Sequence, residues 1–216
     1  MKLTTRTLAA LGIALALAGC KKSGELVVDQ GVGVTSVLTA CPAVGIPDYT
    51  GDLTQFRSAG DTTLGNLDLV AALTNLRSTC NEAGERVYTE ASFTVQARRS
   101  DVRGARTVTL PYFVTVLRGG SSVVAKRVGS VTLTFADGQE RASASARAGT
   151  FVNKADATLP PDIRAQITKR RRAGDPEAAL DPLTLPEVRA AITRTRFEML
   201  VGFQLTEDQL KYNATR

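Results

Sequence analysis

The chain contains no histidine, and this absence limits the chemistry that its other residues can perform. Without histidine there is no Ser-His-Asp or Cys-His nucleophilic site, and the usual zinc and iron ligand sets cannot form. The residues of greatest chemical interest that remain are three cysteines, Cys20, Cys41 and Cys80, and scattered carboxylates. We therefore predict no catalytic residue, no metal site and no cofactor.

Paired carboxylates could still hydrolyse a glycan, because two acidic groups that flank the scissile bond are sufficient for that reaction. Asp48, Asp52 and Asp61 share one stretch that is rich in Pro, Gly and Thr. Aspartates in such a stretch more often form turns, and their spacing lacks the compact alternation of an EF-hand calcium loop. We predict turns here and keep a carboxylate-based envelope hydrolase as an alternative.

The first twenty residues have the layout of an export signal. A basic start with Lys2 and Arg6 precedes an apolar run at residues 8–18, and the run closes on Leu17-Ala18-Gly19-Cys20. The run is about half the roughly 20 residues that a membrane-spanning helix needs. A removable leader is therefore favoured over a permanent transmembrane anchor.

The motif Leu17-Ala18-Gly19-Cys20 resembles the lipobox of bacterial lipoproteins, in which a peptidase cuts before the cysteine and the cysteine is then acylated. The resemblance implies that residues 1–19 are a signal peptide and that Cys20 carries a diacylglycerol and a further acyl chain, such as palmitate. Three chains would hold the protein permanently in the membrane, since stable anchoring needs only two signals. Lys21 and Lys22 are not the aspartate associated with inner-membrane retention, which implies the periplasmic face of the outer membrane. An ordinary secretory signal cut elsewhere is the alternative.

Cys41 and Cys80 belong to a chain that is addressed to an oxidising compartment. We predict a Cys41–Cys80 disulfide, which would close a loop of about 40 residues and stabilise the fold by roughly 3 to 4 kcal/mol. A redox or metal-binding pair is the alternative, but the spacing is not CxxC.

The densest basic cluster is formed by Lys169, Arg170, Arg171 and Arg172. Cations at the end of a helix complement its macrodipole, which is the simpler interpretation. The functional interpretation is contact with anionic lipid head groups or with an acidic partner, since residues 20–34 form a short tether to the membrane. No basic stripe carries interleaved aromatic residues, so we predict no nucleic-acid partner.

Alternation of apolar and polar residues, typical of strands with one buried face, dominates the rest of the chain. Counting a weaker segment at residues 34–39, it predicts about seven strands. The other segments are residues 67–73, 87–98, 108–116, 123–128 with 131–135, 142–148 and 197–205.

Glycines and prolines predict how these strands are joined. Gly119-Gly120 and Asp137-Gly138 are hairpin signals, and Pro111 indicates an edge strand or a bulge. Residues 41–65 are predicted to form a long surface loop.

Two short helices are predicted late in the chain. One begins at Pro161, carries the basic cluster in its last turn and stops at Gly174, and residues 175–186 form a loop with one further helical turn at most. Thr206 and Gln209 have the spacing of a capping box that opens a C-terminal helical turn.

The predicted fold is a mainly β, antiparallel two-sheet β-sandwich of immunoglobulin-like or fibronectin-like architecture, with a small β-barrel as the alternative. The domain would cover residues 35–216, with the helix and loop insertion at about 160–189. We expect a lipid-anchored cell-envelope protein whose sandwich is a non-catalytic binding or scaffolding module with an envelope protein partner. A subunit of an envelope secretion or outer-membrane assembly machine is the further alternative, and it requires an apolar patch or an open sheet edge.

Overall fold

The computed structural model describes residues 39–169 and 180–216. The chain folds into two four-stranded β-sheets with a few short helices, and one sheet curls as a half-barrel. The predicted mainly β, two-sheet architecture is confirmed.

All the elements lie in one compact unit within residues 35–168 and 181–216. The strands are β1 (Ala43–Gly45), β2 (Asp52–Phe56), β3 (Leu67–Asn81), β4 (Arg86–Arg99), β5 (Arg106–Arg118), β6 (Ser122–Phe135), β7 (Arg141–Asn153) and β8 (Phe197–Phe203). The helices are α1 (Pro161–Thr168), α2 (Pro186–Thr195) and α3 (Glu207–Thr215), with single 3-10 turns at Leu64–Asn66 and Pro182–Thr184.

The strand order is β1-β8-β5-β6 in the first sheet and β2-β3-β4-β7 in the second. Neighbouring strands are antiparallel except β1 and β8, which are parallel. The chain makes the β3–β4 hairpin in the second sheet, crosses to the β5–β6 hairpin in the first, and crosses back to β7. Since β6 and β7 form no ladder, the described strands do not close into the barrel that was the alternative expectation.

The core lies between the two sheets and follows from the alternation in the sequence. On β4 every second residue from Val87 to Arg99 is buried, while the residues between them are more exposed. Phe93 of the second sheet meets Tyr112 of the first edge to face, with ring centres 5.1 Å apart. This aromatic contact joins the inner faces of the sheets.

The prediction of a loop at residues 41–65 is wrong in part, because β1 and β2 lie within it. β1 has three residues and pairs only with β8, far along the chain, so no local pattern reveals it. β2 pairs with β3 and buries Leu53. The weak strand expected at residues 34–39 falls almost wholly outside the described residues, and Thr39 belongs to no strand.

Two strands are longer than the sequence pattern indicates. β3 continues past Leu73 to Asn81 across a shift of register between Thr74 and Arg77, where Asn75 has a φ of 52°. Such a bulge breaks the period-two pattern, which explains why the prediction stopped there. The segments at 123–128 and 131–135 are one continuous strand, β6.

Asp137-Gly138 is a turn, as expected, but it does not close a hairpin. Gln139 N–H donates to Ala136 O at 3.0 Å, and Gly138 has a φ of 75°. The strands on either side belong to different sheets, so the turn carries the chain from the first sheet to the second. Sequence predicts the turn here, and tertiary contacts decide which strands pair.

Pro111 lies in β5, an inner strand, and it pairs in register with Ser130, so neither the edge strand nor the bulge expected there is found. Its carbonyl accepts from Gln204 N at 3.0 Å, which places the proline nitrogen on the β8 side. The β8 ladder ends at the pair of Tyr112 with Phe203, one position short of the proline. The missing N–H therefore removes no bond from the described β8 ladder.

The two predicted helices begin where the sequence indicates. α1 begins at Pro161 as predicted, but it ends at Thr168, so Lys169 follows the helix and does not lie in its last turn. α2 was not predicted, although it begins at a proline and buries Val188. α3 has the predicted capping box, with reciprocal hydrogen bonds of Thr206 and Gln209.

The largest fully buried side chain is a cation, Arg99, which is 1% exposed. Its guanidinium donates to Val102 O and Gly104 O in the β4–β5 crossing and to Ala136 O and Gln139 O in the β6–β7 crossing, at 2.7–2.8 Å. Two of the crossings between the sheets, β4–β5 and β6–β7, are therefore held by one side chain. Carbonyl dipoles satisfy the buried charge, as burial of a cation requires.

Replacing Arg99 with lysine should lower the free energy of unfolding by about 2 to 3 kcal/mol, because buried carbonyls lose their donors and lysine lacks the planar fork. Denaturant unfolding measures the change. Arg98→Lys, at an exposed neighbour, is the matched control and should stay within about 0.5 kcal/mol of the native protein. Equal stabilities of the two variants would contradict the role given to Arg99.

A bidentate ion pair lies at the same end of the sandwich. Arg106 Nη1 and Nη2 donate to the two oxygens of Asp68, both at 2.7 Å, and only 12% of the Asp68 side chain is exposed. The hydrogen bonds from Arg106 outweigh the effect of burial and hold the pKa of Asp68 below its ordinary value. The folded state therefore binds the Asp68 proton more weakly than the unfolded state does.

The Asp68 contribution to stability should be complete above about pH 4 and should be lost as the pH falls through the lowered pKa. Asp68→Asn should be less stable than the native protein at pH 7, and the difference should shrink towards pH 2. Urea unfolding at a series of pH values measures this. Asp48→Asn, in an exposed loop, is the control. A gap between native and Asp68→Asn that stays constant down to pH 2 would exclude this linkage.

Candidate functional site

The two sheets have four edge strands, which differ in length and in whether another element packs over them. β1 and β2, the short edges, have three and five residues. α3 covers β2, where Phe56 and Tyr212 meet edge to face at 5.2 Å and Asn213 Nδ2 donates to Tyr49 O and Asp52 O, both at 2.8 Å. Short or covered edges are protected from further pairing.

The other two edges are long and face one another. β6 has 14 residues and β7 has 13, and no described strand pairs with the outer side of either. Between residues 125–129 of β6 and 147–150 of β7 they border a groove of about 230 Å³, which we call the seam.

The register shows which backbone groups point into the seam. Because Pro111 O accepts a hydrogen bond from Gln204, the residue after β8, its partner Ser130 on β6 directs its own N–H and C=O away from β5. The alternation of an antiparallel ladder then directs the backbone groups of Val128 and Lys126 in the same direction. β6 therefore offers a row of donors and acceptors to an incoming strand.

Tyr112 connects the two sides of the seam. Its hydroxyl donates to Arg147 O on β7 at 3.4 Å, so the backbone of β7 also points into the groove. The ring lies against Gly129 of β6, where a Cβ atom would approach Tyr112 Cζ to 2.6 Å. Glycine at this position lets the tyrosine cross the seam.

The surface of β6 beside the seam is apolar and basic. Lys126 and Arg127 are exposed on β6, and Arg147 of β7 makes one long ion pair, 3.8 Å, with Glu90. Three valines within six residues of β6 are exposed, which concentrates apolar surface on this strand. The apolar residues are Val123, Val124 and Val128, which are 63%, 56% and 59% exposed.

The predicted disulfide is confirmed at the opposite end of the β3–β4 hairpin from the Arg99 crossings. Cys41 and Cys80 are bonded, with Cα atoms 6.1 Å apart. The bond joins the segment before β1 to the end of β3. Thr89 of β4 donates its hydroxyl to Cys80 Sγ at 3.5 Å.

Glu82 lies against this disulfide. Its Oε1 is 2.9 Å from Cys41 Sγ, a contact without a hydrogen bond because the oxidised sulfur has no proton, and the same oxygen accepts from the Thr39 hydroxyl. Lys154 Nζ donates to Glu82 O at 2.8 Å. The two sulfurs and the carboxylate have the spacing of a metal site, but disulfide sulfurs are not thiolate ligands.

The aspartates singled out in the sequence do not assemble a metal site within the described ranges. Asp48 is exposed before β2, and Asp52 pairs with Arg216 at 3.0 Å. Asp61 accepts from Thr63 N–H at 3.0 Å, and this hydrogen bond lowers the pKa of Asp61. Asp52 and Asp61 thus have local structural partners.

The other predicted functional residues lie mostly outside the described part of the chain. This is true of Cys20, Arg170, Arg171 and Arg172. Lys169 is described and is exposed directly after α1. No helix within residues 39–169 and 180–216 is long and apolar enough to cross a membrane.

The chain matches no protein-family model, and no curated protein or solved structure is significantly similar to it.

Glu82→Gln should accelerate reduction of the disulfide by dithiothreitol roughly tenfold. A carboxylate about 3 Å from Cys41 Sγ disfavours a departing thiolate there by about 1.4 kcal/mol even at the dielectric constant of water. Maleimide trapping followed by mass spectrometry gives the rate.

Glu85→Gln is the matched control, since Glu85 is an exposed carboxylate of the same hairpin turn whose described contact is through its backbone. Glu85→Gln should leave the rate unchanged. Equal rates for Glu82→Gln and the native protein would show that the carboxylate does not protect the bond.

Proposed function

We propose that this protein is a lipid-anchored cell-envelope protein at the periplasmic face of the outer membrane, and that its β-sandwich is a non-catalytic binding or scaffolding module. The proposal for the anchor is supported by Leu17-Ala18-Gly19-Cys20 after an apolar run and before a polar tether. The Cys41–Cys80 disulfide agrees with an oxidising compartment.

The observation that carries the binding role is the seam. β6 and β7 each leave a long edge unpaired within the described chain, whereas the edges at β1 and β2 are short, and β2 is covered by α3. Proteins generally shorten, charge or cover their edges to avoid pairing with other chains. An edge that keeps exposed valines is suited to accept a strand from a partner.

The chemistry of the seam specifies the partner segment. It is extended, so that its backbone pairs with Val128 and Lys126, and it is apolar on the side that meets the valines. It carries carboxylates, because the charges beside the groove are Lys126, Arg127 and Arg147. A protein that donates such a strand would make this chain a subunit of a larger envelope assembly, which is the second function that the open edge favours.

The anchor predicts a definite mature N-terminus. Mass spectrometry of the protein from native membranes should show residues 1–19 absent and Cys20 acylated, and Cys20→Ser should leave the protein in the soluble fraction. An unmodified Cys20, or cleavage elsewhere, would refute the anchor and leave the seam untouched.

Strand addition predicts that a backbone change at the edge is more damaging than a side-chain change. Val128→Pro removes an N–H that points into the seam and breaks no described ladder bond, because proline is tolerated on edges. Val128→Thr keeps the N–H. With a photo-crosslinking residue at Val124, partner crosslinking in native membranes should persist in Val128→Thr and fall at least tenfold in Val128→Pro.

A photo-crosslinker at Leu210, which is 43% exposed on α3, is the control position and should capture none of the same partner. Equal crosslinking in Val128→Pro and Val128→Thr would refute backbone pairing at β6. Denaturant unfolding checks that both variants have the same midpoint as the native protein.

A further inference from the structure

A second cavity lies at the disulfide end of the sandwich, away from the seam. It measures about 550 Å³, within the range of pockets that hold small organic ligands. The segment before β1, the turn after β7 and helices α1 and α2 surround it. We call it the pole pocket.

The wall of the pole pocket is apolar on the side of α2 and of the turn after β7. Leu159 and Ile192 are half-buried and border the cavity, and Phe197 and Ala157 close it as buried residues. These side chains would bury an aliphatic chain but could not orient a wholly polar ligand.

The charged groups of the pole pocket are three cations and one anion. Lys154, Arg164 and Arg196 border it, against Glu82 alone. Glu82 is already engaged by the Thr39 hydroxyl, and Arg196 pairs with Glu198 at 3.1 Å.

Arg164 is the cation whose side-chain donors are all unused among the described residues. Its side chain is exposed on α1, and none of the described residues accepts a hydrogen bond from its guanidinium or pairs with it. Lys154 Nζ uses one of its three donors on Glu82 O. Arg164 and Lys154 therefore both border the cavity with donors available to an anionic group.

We propose that the pole pocket binds an anionic amphiphile with a single aliphatic chain, whose carboxylate or phosphate head is held by Arg164 and Lys154 and whose chain packs on Leu159 and Ile192. This site is independent of the seam and of the lipid on Cys20. It would give the domain a ligand as well as a protein partner.

The test uses the mature chain with Cys20→Ser, so that no covalent acyl chain competes for the pocket. Isothermal titration calorimetry with decanoate and with decyl phosphate, each below its micellar concentration, should show saturable binding at one site. Decyltrimethylammonium, which has the opposite charge and the same chain, should bind at least tenfold more weakly. The two anionic probes distinguish a carboxylate source from a phosphate source, and saturable binding of either supports the site.

Two helix variants locate the site. Arg164→Glu should weaken binding of the anionic probe at least tenfold, since it reverses the charge of the head-group contact. Arg189→Glu, at an exposed arginine of α2 that does not border the cavity, is the matched control and should bind normally. Methyl NMR signals of Ile192 and Leu159 should shift on titration.

Several outcomes would overturn the proposal. The proposal is wrong if neither anionic probe binds saturably, or if decyltrimethylammonium binds with equal affinity. It is also wrong if Arg164→Glu and Arg189→Glu weaken binding equally. Lys154→Gln is a second variant that should also weaken binding, and its unfolding transition shows whether the loss comes from the fold. Partner crosslinking at Val124 should not change in Arg164→Glu, so failure of this site is separable from failure of the seam.

Discussion

The fold depends on the burial of one guanidinium group between two loops. Arg99 belongs to β4 of the second sheet, and its four side-chain hydrogen bonds end on the backbone of two segments that carry the chain between the sheets, β4–β5 and β6–β7. Phe135, the last residue of β6, lies under the guanidinium at 5.3 Å from its ring centre. The β6–β7 connection is fixed here, and β6 and β7 extend from it as edges of different sheets and not as a hairpin. The open seam is a consequence of that arrangement.

The sequence predicts the parts of this fold that are locally encoded. The alternation on β4, β5 and β7, the turn glycines and the capping box at Thr206 and Gln209 all have a physical cause within a few residues, and each is found in the structure. The Cys41–Cys80 bond was predictable for a different reason: the first twenty residues led us to expect an oxidising compartment, and the two cysteines after Cys20 leave one intramolecular pairing.

The remaining features depend on contacts between distant residues. β1 exists because β8 lies beside it, and the crossing at Asp137-Gly138 exists because Arg99 holds it. In the sequence Val123, Val124 and Val128 have the pattern of core residues, and only the strand order shows that they lie on an edge. The seam and the pole pocket were therefore beyond sequence reasoning, although Arg164 lies on a helix that the sequence did predict.

The disulfide has a mechanical consequence. β1, the first strand, holds to the first sheet by a ladder of three residues, which a pull on the chain from its N-terminal side would open one bond at a time. Cys41 precedes β1 and is bonded to Cys80 near the end of β3, a 15-residue strand paired with β4 along most of its length. Tension applied on the N-terminal side of Cys41 therefore has a covalent path into the second sheet, and the three-residue ladder bears less of it.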